Sequence, residues 1–127
     1  MSLVYRLANI NDLDSLVKFH EDACGISNAS DFLKWKYFDN PAGRPNIAIA
    51  LDEDRIVGRI GAVPLRVRIG SKYALAAQTV DIDILEDYRK GTPFFRLEKI
   101  ARKEVEDSGA LFDFGFVRTR LHEFQIH

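Results

Sequence analysis

The sequence is sparing in several residue types, and each scarcity excludes something. It holds one cysteine, Cys24, so a single chain builds neither a disulfide framework nor a clustered-thiol metal site. An excess of one charge is also missing: 18 Lys and Arg stand against 19 Asp and Glu, a formal net charge of −1. A protein that grips nucleic acid by its phosphates carries a basic surplus, so nucleic acid is not an expected partner. No apolar run approaches the length of a bilayer span, and the N-terminus lacks the basic-then-apolar order of a signal segment. The expectation is a cytoplasmic protein with no membrane partner. Internal repeats and low-complexity tracts are lacking as well.

What is present is enough for one domain around one core. The chain has 127 residues, 46% of them hydrophobic and 29% charged, which is ordinary for a globular protein. Leu3, Tyr5 and Leu7 alternate in a first strand. Asn11 and Asp12 then supply a cap and an acidic first turn to a helix carrying Leu13, Leu16, Val17 and His20 at helical spacing, with Gly25 as its stop. A second helix begins at Ser30 or Asp31 and ends before Asn40-Pro41, since the residue before proline is pushed out of the helical region. Residues 46–51 form an apolar strand, 56–69 a long strand, and 73–85 its hairpin partner, in which Val80, Ile82 and Ile84 alternate with Asp81 and Asp83. A third helix starts at Pro93, places Phe94, Leu97, Ile100, Ala101 and Val105 on one side, and stops at Gly109. Phe112, Phe114 and Phe116 alternate in a final strand.

The order is β-α-α-β-β-β-α-β, an α/β (α+β) layout in which a mixed, mostly antiparallel sheet is flanked by helices. Within it, four sets of charged or reactive residues read as structural. Arg59, Arg66 and Arg68 are interleaved with apolar residues, which predicts a solvated sheet face or edge. Cys24 is expected to be a buried or half-buried packing residue, and His20 a half-buried one. His122 and His127 in the tail have no ligand-spaced partners and read as surface histidines.

The stretch from Val80 to Leu97 resembles the GNAT N-acetyltransferase superfamily. Its residues are Val80-Asp81-Ile82-Asp83-Ile84-Leu85-Glu86-Asp87-Tyr88-Arg89-Lys90-Gly91-Thr92-Pro93-Phe94-Phe95-Arg96-Leu97. In that family an apolar strand runs through a Glu-Tyr-Arg-like turn into an Arg/Gln-x-x-Gly-x-Gly/Ala loop and a helix with an early leucine. Arg89 stands at the loop's first position and Leu97 at the leucine. Arg6-Leu7-Ala8 with Asp12-Leu13, Ile56-Val57-Gly58 after an acidic turn, and Trp35-Lys36-Tyr37 before Asn40-Pro41 are shorter echoes. The likeness covers residues 3–117. It departs from the pattern where Thr92 and Phe94 hold the loop's glycine positions and a glycine stands instead at Gly91; Phe94 there is expected to crowd a phosphate's approach to the backbone.

The resemblance implies an N-acyltransferase domain taking acetyl-CoA as cosubstrate and a small-molecule amine as acceptor. Ile84, Leu85, Arg89, Lys90, Gly91 and Thr92 would hold the CoA moiety, with the oxyanion donor a backbone N–H near Ile84. Asp83, and after it Asp81, occupy the place where relatives carry an acidic base, against the plainer reading of a solvated polar face. The thiolate acid in relatives is a tyrosine on a helix after the last strand, whereas all 4 tyrosines here lie at or before Tyr88. The expected domain is thus C-terminally short, with its Phe112–Phe116 strand covered by a second copy in a homodimer. The alternative is a non-catalytic module of the same fold that binds CoA or mediates dimerisation.

Overall fold

The computed structural model of the protein describes residues 2–116. His122 and His127 lie outside the described residues. Five strands form one sheet in the order β1-β2-β3-β4-β5: β1 (Val4–Leu7), β2 (Ile47–Asp52), β3 (Arg55–Ile69), β4 (Lys72–Ile84) and β5 (Asp113–Gly115). Neighbours are antiparallel except β4 and β5, which run parallel. This is the mixed, mostly antiparallel sheet expected from the pattern. Among the described residues no helix is long and apolar enough to cross a membrane.

The helices divide between the two faces. A 3-10 turn at Ile10–Asp12 is closed by a reciprocal capping box between Asn9 and Asp12, and Arg6 grips the Asp12 carboxylate with two bonds of 2.8 Å. That fixes the entry to α1 (Leu13–Cys24), which ends as Gly25 N–H bonds Glu21 O at 2.8 Å. Helix α2 (Ser30–Leu33) runs on into a π-helical turn over Lys34–Phe38. Helix α3 (Pro93–Asp107) opens on a proline, whose missing N–H costs nothing in a first turn. Period-two alternation in β2 sorts the core: Ile47, Ile49 and Leu51 pack under α1 and α2 with Leu16, Phe19, Leu33 and Tyr37, while Ala48 and Ala50 face α3 with Val57, Ile60, Leu97 and Ala101.

Three expectations are corrected. Arg59 is not on a solvated face: its side chain is 0% exposed, although Arg66 and Arg68 on the same strand are exposed as expected. Cys24 is exposed rather than packed; it stands in the last turn of α1, next to the Gly25 cap. The alternation along β4 is broken as well. Arg59 pairs with Asp83 but Gly61 with Val80, so β4 carries one more residue than β3 between those pairs. Asp81 absorbs it at φ +55°. A bulge of this kind turns neighbouring side chains off strict alternation, and accordingly Val80 packs with the α1–α2 cluster while Ile82 and Ile84 pack with α3.

Candidate functional site

Among the described residues, the bulge gathers a group of charged and polar side chains under α1 and α2, while the buried Asn46 donates instead to Ala101 O of α3 at 2.9 Å. Asp81 Oδ2 accepts from Lys36 Nζ at 2.8 Å and from the Tyr37 hydroxyl, both supplied by the π-helical turn. Tyr37 is buried at 1% exposure and reaches Asp81 across Gly61. A Cβ on Gly61 would lie 2.8 Å from Tyr37 Cε1 and Cζ, so only glycine leaves room for the ring. One residue pair further along, Arg59 Nη2 and Nε donate to Asp83 Oδ2 at 2.9 and 3.2 Å. The same Nη2 lies 2.9 Å from His20 Nδ1 and 3.6 Å from Cys24 Sγ. Its guanidinium stacks over the Phe19 ring at 5.2 Å, a favourable seat for a desolvated cation. Arg59 Nη1 is buried with no hydrogen-bond partner among the described residues.

These contacts set protonation. A guanidinium only donates, so His20 accepts at Nδ1 and is neutral, its proton on Nε2. Burial and the Arg59 charge both push its pKa below the usual value. Burial and the Asp81 charge push the Tyr37 hydroxyl well up, which keeps that proton on the tyrosine. For Asp81, burial is the largest influence and acts upward, but the bonds from Lys36 and Tyr37 outweigh it and the carboxyl settles below its ordinary range. Asp81 is therefore a firmly ionised group whose partner is an ammonium. The Asp83 side chain keeps 23% exposure while Arg59 fixes its orientation.

A second feature lies on the far edge of the same strand. β4 pairs with β5 only across Ala77, Gln78 and Thr79; from Val80 to Ile84 it has no ladder partner on that side among the described residues. Leu85 N–H bonds Val57 O at 2.9 Å, tying Leu85 to β3. Because an antiparallel ladder alternates, the N–H and C=O of Ile84 point the other way, toward the open edge. Arg89 arrives there, its Nε donating to Ile84 O at 2.8 Å.

The chain between Arg89 and α3 is short. Gly91 sits at φ +92°, and a Cβ there would meet only Pro93 Cδ, at 4.0 Å. Lys90 and Thr92 are exposed; Thr92 is the residue before the helix and its hydroxyl makes no capping bond within the described residues. Phe94, expected to crowd this mouth, is half-buried and packed with the cluster beneath α3. The result is a helix N-terminus, with its partial positive charge, flanked by Arg89 and Lys90.

The structure thus brings Ile84, Arg89, Lys90, Gly91 and Thr92 to one edge, separates Leu85 into the β3 ladder, and puts Asp81 and Asp83 side by side under the helices. Sequence reasoning missed Arg59 as a member of the polar site, and put the Trp35-Lys36-Tyr37 segment near an acceptor only by resemblance, without its pairing to Asp81. One signal existed: Tyr37 and Gly61 form a large–small pair, visible only once the two segments are known to touch.

Comparison with known proteins follows from this geometry. The model of an acetyltransferase (GNAT) domain matches residues 4–119. Among solved structures, the fold is similar to glucosamine-6-phosphate N-acetyltransferase from Arabidopsis thaliana, at TM-score 0.77 and 9% identity over 99% of this chain and 89% of that one. It is also similar to a GNAT family acetyltransferase from Staphylococcus aureus subsp. aureus, at TM-score 0.67 and 20% identity over 94% and 90% of the two chains. An aminoglycoside N-acetyltransferase, AAC(6')-Iy, solved in complex with CoA, aligns at TM-score 0.73 and 12% identity over 98% and 83%. A search of curated proteins by sequence returned no significant match.

Proposed function

The chain belongs to the acetyltransferase (GNAT) domain family, and from that premise we propose that it transfers the acetyl group of acetyl-CoA to the amine of a small acceptor. The observation that carries this reading is the open edge of β4 beside the α3 N-terminus. An extended strand edge offers unpaired amides to an extended ligand arm, and a helix mouth flanked by Arg89 and Lys90 suits a pyrophosphate. The open surroundings of Gly91 and the inward packing of Phe94 leave that mouth accessible, so the residues present fit CoA.

Acetyl-CoA, when bound, supplies the acetyl group as a thioester. The chain's part is to hold, orient and move protons. The Ile84 N–H, turned to the open edge, is the donor for developing negative charge on a carbonyl oxygen. Asp83 is the proposed base and Asp81 the second candidate: Arg59 holds the first in place, and the second anchors an ammonium. An acceptor binds as its ammonium and loses a proton to a carboxylate or to water reached through it before attack.

The test is calorimetric titration of the protein with acetyl-CoA, followed by Arg89→Glu. Saturable binding that weakens at least about tenfold in the variant is expected from reversing a charge at a phosphate contact. Equal affinity for both proteins would remove the phosphate role of this loop. Binding without turnover across a panel of amines would favour a CoA-binding module instead.

A further inference from the structure

One amine held against the bulged stretch of β4 belongs to the protein itself. The chain has lysines at 18, 34, 36, 72, 90, 99 and 103, and Lys36 alone is not exposed. Its side chain is 18% exposed and its ammonium lies 2.8 Å from Asp81 Oδ2. The ammonium also sits over the Phe32 ring at 5.3 Å and the Tyr37 ring at 5.6 Å, so a carboxylate and two aromatic faces enclose it. Asp81 in turn is the bulge residue of the stretch that, on the side away from β3, lacks a ladder partner among the described residues. A primary amine on an unbranched arm is therefore already seated at the part of β4 along which an acetyl thioester is proposed to lie.

We propose that Lys36 is an acceptor of this site, and that the protein acetylates its own Lys36 Nζ from acetyl-CoA. The inference rests on the acetyl-CoA reading given above. In the step, the Lys36 ammonium first gives up a proton to water or to a neighbouring carboxylate. The free amine forms the N–C bond to the thioester carbon, the C–S bond breaks, and the CoA sulfur leaves as thiolate and takes up a proton. The balance is one acetyl-lysine, one CoA thiol and one proton released. The product has no charge to offer Asp81, so modification dissolves the 2.8 Å ion pair and leaves the carboxylate with Tyr37 alone. Self-acetylation thereby empties the ammonium seat for an outside amine.

Exposure predicts the opposite outcome, which makes the test sharp. If acetyl-CoA modifies lysines by unaided chemistry, the exposed residues Lys18, Lys34, Lys72, Lys99 and Lys103 react first, and Lys36, ion-paired and partly buried, reacts last; Lys90, at the proposed CoA mouth, is left out of the comparison. The experiment incubates the full chain with acetyl-CoA and follows acetyl occupancy at each lysine by peptide mass spectrometry over time. Binding to the same preparation is measured by calorimetry. Lys36 is expected to outpace the mean of the exposed lysines by at least about tenfold, the modest end of what positioning contributes. Excess CoA is expected to suppress Lys36 acetylation and leave the exposed sites unaffected, and Lys36→Arg to remove the fast site without raising any other. Binding of acetyl-CoA with Lys36 modified no faster than the exposed lysines would overturn the inference and leave the acetyl-CoA reading intact. Absence of binding would overturn both.

Discussion

On the α3 side of the sheet, β2 and β3 present Ala48, Ala50, Val57 and Ile60 to Leu97 and Ala101, mostly hydrocarbon on hydrocarbon, with Asn46 the buried polar exception. On the α1–α2 side, β3 and β4 place Arg59, Asp81 and Asp83 beneath helices that answer with His20, Lys36 and Tyr37. The two faces share strands, yet they carry different loads. Burial of apolar surface drives the first. The second keeps a row of charges in place at a cost in desolvation that each pairing offsets only while both partners are present. A fold that wanted stability alone would have no reason to seat a fully buried arginine opposite an aspartate, so the polar face is where function is to be sought.

The largest way to break this contrast is Arg59→Met. It strips Asp83 and His20 of their shared donor and is expected to lower stability by about 4 kcal/mol, read from the urea midpoint at constant slope. Adding Asp83→Leu should return most of that loss, since the penalty belongs to the widowed carboxylate. A double variant no more stable than the single one would show that Arg59 acts through packing. Next in size is Leu97→Ala, where a fully buried side chain is replaced by a void at about 3 kcal/mol. Here acetyl-CoA affinity, scored on the folded fraction, is expected to hold, and a parallel collapse of binding would erase the division between the faces.

The smallest effect is a slope with pH. The fold holds His20 below the 6.5 of a free histidine, so between the two values the unfolded chain binds a proton that the native state refuses. Stability should therefore fall as pH drops below 6.5 and level off once the native pKa is passed. His20→Asn, which keeps an acceptor for Arg59 without the titration, should flatten that segment of the curve. An unchanged slope in the variant would assign the pH dependence to other groups.

Much of the fold was legible because local pattern and tertiary outcome agree. Helix α1 is expected over the residues it occupies, α3 begins at Pro93 as its first-turn proline requires, and the β3–β4 hairpin closes where Gly70 and Ser71 predict. What failed was non-local. A strand written Arg-Ile-Gly-Ala around Arg59 carries no sign that a histidine 39 positions earlier will meet the guanidinium, and without that partner a charged strand residue is rightly read as solvated. The bulge at Asp81 was hidden for a related reason: alternation in β4 is intact as letters, and only the register against β3 reveals the extra residue. Of the candidate site, the Arg89–Thr92 stretch was singled out through the family resemblance and lies at the open edge of β4, whereas the pairing of Lys36 and Tyr37 with Asp81 depends on a π-helical turn that no local pattern announced.

That bulge also restricts how the acid at position 81 can be questioned. At φ +55° asparagine and aspartate are at ease, while alanine or glutamate brings a backbone penalty of about 1–2 kcal/mol. A survey of replacements would therefore mix two variables, strain and charge, in every member but one. Asp81→Asn keeps the shape of the side chain and the comfort of the turn and removes only the negative charge, so it is the control by which the others must be interpreted.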